Sequence, residues 1–245
     1  MRVGIIGHGV VGSSMHALFP DARICDPAKG LFAKLDACDI VFVCVPTPES
    51  SDGSADTSIV RAAVTAHKPG LYVIRSTVPP GTTRSLNRPA VFQPEYLGMT
   101  PGHAFASDRD VPFVILGGAR QDTEAVADLY RTVLPPETAY HHTTPETAEL
   151  VKYATNTFLA TKVEFTNELY DAAFHLGLDF EALRELWLLD QRIGRSHTGI
   201  NRKSRGFGGA CFPKDMSAFI AWAEANDVDV PVIRSARDKN RSARL

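Results

Sequence analysis

The chain has 245 residues, enough for one large domain or two smaller ones with a real buried core. Lys and Arg total 26 against 28 Asp and Glu, a formal net charge of −2, which argues against the basic footprint of a nucleic-acid binder. No apolar run reaches the roughly 18 residues of a membrane helix, and Cys25, Cys38, Cys44 and Cys211 form no metal-type CxxC pair. No metal and no membrane are therefore expected, and a cytoplasmic, reducing setting is.

In chain order the first third alternates strand-like and helical runs. "RVGIIG" reads as a strand, "GVVGSSMHALF" as a helix, "ARICD" as a strand and "GLFAKLDAC" as a short helix. "DIVFVCVP" is a continuous apolar run of the kind buried on both sheet faces. "TSIVRAAVTA" reads as helix, and "GLYVIRST", "AVFQP" and, last, "FVILGG" as strands. This alternation implies parallel βαβ units and a doubly wound, Rossmann-type α/β sheet. After about residue 140 the pattern turns helical. Thr144, Pro145 and Glu146 signal the start of a long helix that Gly177 ends. "DFEALRELWLL" follows with Asp179 as its N-cap, then "CFPKDMSAFIAWAEAN" and "PVIRSARDKNRSARL". Two domains are expected, 1–140 and 141–245.

"GIIGHGVVG" places Gly7, Gly9 and Gly12 in a GxGxxG motif that leaves a strand and opens a helix. Gly7 allows the tight turn, Gly9 lets the backbone approach a pyrophosphate, and Gly12 lets helix and strand pack closely. This reading also displaces that of a signal peptide, since no small-residue cleavage site follows. Asp26 ends the next strand, where an acid accepts hydrogen bonds from a ribose 2′-OH. A carboxylate there favours NAD over NADP, although Lys29 nearby leaves NADP open. "VPTPES" and "RSTVPPGTT" follow buried strands, so Thr47, Ser76 and Thr77 are candidates for cofactor contacts or for plain turn chemistry.

Glu149, Lys152 and Asn156 share one helix face. They form either a solvated stripe or a polar face turned into a cleft, where an ammonium and an amide could stabilise an oxyanion. In "GFGGACFPKD", Pro213 suits the first turn of a helix, which puts Cys211 at that helix's N-terminus. The positive helix end and Lys214 raise the thiolate fraction there. Asp215 lies one turn on. An inert buried cysteine is the other fate of such a residue, and it suits Cys44 in "VFVCV" better.

The glycine motif, "VPTP", "STVPPGTT", "PEYL", "ETAELVKYATNTFLATKVEFTNEL", "DQRIG" and "GFGGACFPKD" together resemble the UDP-glucose/GDP-mannose dehydrogenase family, within the larger group that includes 6-phosphogluconate dehydrogenase. The resemblance spans nearly the whole chain. It implies NAD-dependent oxidation of the primary alcohol of a nucleotide sugar to the acid, in two hydride transfers. It makes Cys211 the nucleophile that carries a thiohemiacetal and then a thioester. Lys152 would stabilise the oxyanion beside Asn156, Asp215 would share in proton transfer, Glu95 would act as acid and base, and Thr77 would order water and nicotinamide. The cofactor would be held by Gly7, His8, Gly9, Val10, Val11, Gly12, Asp26, Pro46, Thr47, Ser76 and Thr77. The substrate would meet Glu95, Tyr96, Leu97, Lys152, Asn156, Lys203, Phe207 and Gly208. Arg192 would reach a partner subunit's substrate, which implies a homodimer through a helical domain like that of 6-phosphogluconate dehydrogenase.

The pattern also departs from the family. A third, nucleotide-sugar-binding domain is expected to be absent. Met99 and Phe113 stand where the family carries a glutamate and an arginine, and "RSHTGINRKSRGFGG" is longer and more basic than usual. Arg195, Arg202, Lys203 and Arg205 could bind a phosphate or carboxylate directly, or form a solvated loop. The substrate is thus a nucleotide sugar or a smaller anionic alcohol. Two other functions stay open: a single-step dehydrogenase of the β-hydroxyacid type with Lys152 as acid/base, and a cofactor-binding module without turnover.

Overall fold

The structure is a computed structural model that describes residues 1–98, 105–203 and 205–243; Met99 lies outside them. Eight strands form one sheet: β1 (Val3–Ile6), β2 (Arg23–Asp26), β3 (Leu31–Phe32), β4 (Ile40–Val43), β5 (Leu71–Ile74), β6 (Ala90–Phe92), β7 (Phe113–Gly117) and β8 (Ala139–Thr143). Their order is β3-β2-β1-β4-β5-β6-β7-β8. The centre, from β2 to β6, is parallel. Eight helices accompany them among the described residues: α1 (Val10–Leu18), α2 (Ser58–Ala66), α3 (Thr82–Ser85), α4 (Arg120–Arg131), α5 (Pro145–His175), α6 (Phe180–Trp187), α7 (Phe212–Ala225) and α8 (Pro231–Ala243).

The chain divides into two compact units. The first, Met1–Pro48 with Ala55–Lys152, holds the sheet. Its central strands are apolar at every position because both faces are covered. Ile5, Ile40, Phe42, Leu71 and Val73 pack on one side with Met15 and Leu18 of α1 and with Val126 and Tyr130 of α4. Val41, Val43, Tyr72 and Ile74 pack on the other with Val60 and Val64 of α2. This is the doubly wound α/β architecture that the strand and helix runs imply.

Two local expectations are corrected. Residues 30–38 do not form a helix. A 3-10 turn at Pro27–Lys29 ends on Gly30 at φ +72°, and the chain reverses into β3, which pairs antiparallel with β2. Leu31, Phe32 and Leu35 have helix-like spacing, but the left-handed glycine redirects the chain first. Nor is "FVILGG" the last strand: α4 and then β8 follow it. Here β7 pairs antiparallel with β6 and parallel with β8.

The second unit comprises Glu49–Ser54 and Tyr153–Leu245, and the division falls within α5. That long helix ends as the sequence signals. Gly177 takes φ +67°, and Leu178 N–H reaches back to Ala173 O at 2.9 Å, closing the C-terminal turn. Asp179 then caps α6 by accepting from Glu181 N–H at 3.0 Å. A small core of Ala160, Phe207, Met216 and Ala236 joins α5, α7 and α8.

Candidate functional site

The glycine turn of the first unit has the shape its sequence implies. Gly7 sits at φ +83°, and a Cβ there would lie 2.6 Å from Cys44 O. A Cβ on Gly12 would lie 1.9 Å from Gly7 O, so only glycine lets α1 approach β1 this closely. Gly9 differs: a Cβ there would meet nothing within 4 Å. The space beside it opens at the N-terminus of α1, which Val10 and Val11 begin, where backbone N–H groups favour phosphate. Asp26, at the end of β2, accepts from His8 N–H through Oδ2 at 2.7 Å, and Lys29 Nζ donates to His8 O. The turn and its acid are thereby tied together, and these residues fit a dinucleotide.

The loops after β4 and β5 are bound to each other. Thr47 donates its hydroxyl to Thr77 O at 2.8 Å, and Ser76 donates to Val45 O at 2.7 Å. Both hydroxyls therefore shape the loops, leaving Pro46 exposed and Thr77 half-buried at the surface these loops make. Glu149 braces the same region. It is fully buried, with Oε2 accepting from Gly81 N–H at 2.6 Å and Oε1 from Thr83 N–H at 2.7 Å, so a carboxylate on α5 caps α3. Burial pushes its carboxyl up against the opposing pull of these bonds. One turn on, Lys152 Nζ donates to Glu95 Oε1 and to Glu95 O, each at 2.7 Å, while Leu97 N–H donates to Glu95 Oε2 at 3.0 Å. Tyr96 packs edge-on against Phe113, and burial, then the Glu95 charge, pushes its hydroxyl up to about 12.

In the second unit Cys211 is exposed and is the N-cap of α7, with Pro213 in the first turn. Asp215, one turn along, is 1% exposed. It accepts from Asn156 Nδ2 at 2.6 Å and from Lys214 Nζ. The other thiols differ in setting: Cys25 and Cys38 are buried in the sheet core, and burial pushes Cys44 up to about 12.

The comparisons with known proteins agree on one family. Residues 29–134 match the NAD-binding domain of the UDP-glucose/GDP-mannose dehydrogenase family, and residues 146–242 match its central domain. The chain belongs to that family. It is 33% identical over 220 residues to a UDP-glucose 6-dehydrogenase of Rickettsia typhi, covering 83% of this chain and 49% of the relative. With UDP-glucose 6-dehydrogenase TuaD of Bacillus subtilis the figures are 31% over 226 residues, 85% and 48%. The chain thus spans about half the length of the curated relatives it matches. A UDP-glucose dehydrogenase structure from Pyrobaculum islandicum superposes with a TM-score of 0.82 at 28% identity, covering 98% of this chain and 68% of that one. The fold alone is shared with a 3-hydroxyisobutyrate dehydrogenase of Mycobacterium tuberculosis, at 18% identity and a TM-score of 0.73, over 100% of this chain and 96% of that one.

The family member's basic loop is more committed than its sequence shows. Arg195 pairs with Glu185, and Arg205 with Asp171 and Asn167 while lying 4.8 Å over the Tyr170 ring. Arg202 also lies over Tyr170, at 5.8 Å. Lys203 is exposed, with its N–H donated to Asn201 Oδ1 at 3.0 Å. Phe207 is 3% exposed, its ring in the helical core and its N–H bonded to Asn240, so of this pair only Gly208 is half-exposed. Arg192 is 89% exposed at its side chain and held by Asp190 at 2.7 Å.

Two polar elements of the structure have no counterpart in the sequence reading. One is Glu149 as a cap on a turn 68 residues away. The other is Arg75, which is buried and donates to Asp108 Oδ1 at 2.6 Å and to Tyr130 OH at 3.3 Å. Asp108 in turn accepts from Ser14 Oγ at 2.7 Å. The end of β5 is thereby tied to α1, which places the start of the Ser76 and Thr77 loop relative to the glycine turn. An arginine directly before "STVPPGTT" is the only signal the sequence offers for it.

Proposed function

We propose that this family member is an NAD-dependent dehydrogenase that takes a primary alcohol to a carboxylic acid through a covalent adduct on Cys211. Its substrate is a nucleotide sugar or a smaller anionic alcohol. The observation that carries the reading is the buried bond from Asn156 to Asp215 at the head of the helix that Cys211 caps. A buried acid held by an amide and a lysine beside an exposed N-cap thiol is costly to keep without a chemical use.

When bound, NAD accepts the hydride in each oxidation. The chain's residues supply the rest. The Cys211 thiolate adds to the aldehyde carbonyl, forming a C–S bond and an oxyanion that Lys152 and Asn156 stabilise. Asp215, through a water, takes the hydroxyl proton of the alcohol as the first hydride leaves and returns it to solvent. After the second oxidation Glu95 activates water to attack the thioester, the C–S bond breaks, and the thiol is restored. A covalent adduct keeps the aldehyde from escaping between the two oxidations.

Phe158, Phe165, Phe174, Leu186 and Leu189 are exposed on the helical unit. Large exposed apolar side chains on one unit support a homodimer through it, with Arg192 reaching toward the partner's substrate.

The test is Cys211→Ser with a panel of nucleotide sugars and smaller anionic alcohols. The variant should bind NAD as the wild type does and stop at the aldehyde, which a carbonyl reagent traps. Acid formation at the wild-type rate would contradict the covalent route.

A further inference from the structure

Two buried polar side chains of the helical unit have no part in the chemistry above. Glu164 on α5 is 3% exposed and Asn240 on α8 is buried with it, and both face the Gly206 turn. Gly206 sits at φ +78°, and a Cβ there would fall 2.2 Å from Asn240 Oδ1 and 2.9 Å from Glu164 Oε1. Asn240 Oδ1 accepts the Phe207 N–H at 2.8 Å. The Phe207 N–H also faces the Glu164 carboxyl, and no other donor among the described residues reaches its buried oxygens. Burial pushes the Glu164 carboxyl up, and the charged groups around it are Lys239 on α8, Arg205 before the turn, and Glu168 one turn along α5.

The turn they hold leads directly to the thiol. The Phe207 ring sits in the small core with Ala160, Met216 and Ala236. It also meets the Phe212 ring edge-on, with centroids 6.2 Å apart, and Phe212 follows Cys211. Phe212 also packs against the His197 ring, with centroids 5.4 Å apart, and Asn156 holds Asp215 in the same helical turn, so the Gly206 turn and the Phe207 ring are one of three supports for the α7 N-cap.

We propose that Asn240 and Glu164 are positioning residues for Cys211. Asn240 fixes the Phe207 backbone and Glu164 fills the space under Gly206. Through the contact between the Phe207 and Phe212 rings, the pair holds the thiol at the positive end of α7. The consequence for catalysis rests on the role proposed for Cys211. The reactivity of the thiol does not, so the two can fail separately.

The test is the pH profile of iodoacetamide alkylation at Cys211 in the full chain, without cofactor or substrate, read by peptide mass spectrometry. Asn240→Ala and Glu164→Ala should raise the midpoint by about one pH unit relative to the wild type, a roughly tenfold lower rate at neutral pH. Glu164→Gln, which keeps the shape, should stay near the wild-type profile. Asn240→Asp, which keeps the acceptor but sets a second carboxylate beside Glu164, supplies the same comparison if Asn240→Ala does not fold; it should match the wild type at low pH and depart as pH rises. The proposal is overturned if folded variants melt earlier yet keep the wild-type midpoint. It is also overturned if Glu164→Gln shifts the midpoint as far as Glu164→Ala.

Discussion

Lys152 Nζ is bonded at 2.7 Å to both the side chain and the backbone carbonyl of Glu95, with only 6% and 14% of the two side chains exposed. Fifty-seven residues separate the partners in sequence. The pair therefore fixes where the "PEYL" segment meets α5, apart from any chemistry it performs. Lys152→Ala strands a carboxylate out of water and should cost about 3–5 kcal/mol, read as a lower urea midpoint. Glu95→Gln keeps an acceptor for the ammonium and should cost less. Equal losses for the two would show that the charge pairing is unimportant.

The three glycines of the turn should separate on substitution. Gly12→Ala puts a methyl 1.9 Å from Gly7 O and should destabilise by about 3 kcal/mol. Gly9→Ala meets no protein atom within 4 Å and should change stability by less than about 1 kcal/mol. Its methyl instead occupies the space beside the α1 N-terminus, so NAD affinity in a calorimetric titration should fall about tenfold or more. An unaltered affinity would place the dinucleotide elsewhere.

Glu149 gives a pH dependence with a definite sign. A carboxyl that holds its proton more tightly in the folded chain favours folding at low pH. Its contribution is complete below about 4.3, the value of an exposed glutamate, and fades as pH rises through the higher folded value. Glu149→Gln should remove that fade. It should also lower stability by about 1–3 kcal/mol, because one amide oxygen cannot serve the Gly81 and Thr83 N–H groups as two carboxylate oxygens do. Urea midpoints measured from pH 4 to 8 check both parts.

The sheet centre was legible because β1, β4 and β5 are apolar on both faces, a pattern that helices covering one face do not produce. β8 escaped the reading because "AYHHT" is a polar edge strand with no buried run. α4 buries Val126, Ala127, Leu129 and Tyr130 on one face, but its other residues are mostly charged or polar, so the segment lacks an apolar run of its own. β3 is two residues long and depends on the Gly30 turn, which residue spacing does not reveal.

Within the candidate site, the residues close in sequence were the readable ones. Pro213 announces the helix that Cys211 caps, and the glycine spacing announces the α1 turn. The spacing of the Glu149 stripe fits a solvated face or a cleft-facing one. Neither reading anticipates a carboxylate buried on backbone donors at Gly81 and Thr83. Asn240 and Glu164, 76 residues apart, meet under Gly206 only after α5 and α8 pack. Such contacts depend on tertiary packing and leave no local periodicity.

In the proposed function one chain carries both oxidations through one thiol. The NADH formed per alcohol consumed, with a limiting alcohol run to completion in excess NAD+, decides whether it does. Two NADH per alcohol, with the carboxylic acid as product, is the predicted result. One NADH per alcohol, with the aldehyde or ketone as final product, would rule out the covalent double oxidation and favour the single-step use of Lys152.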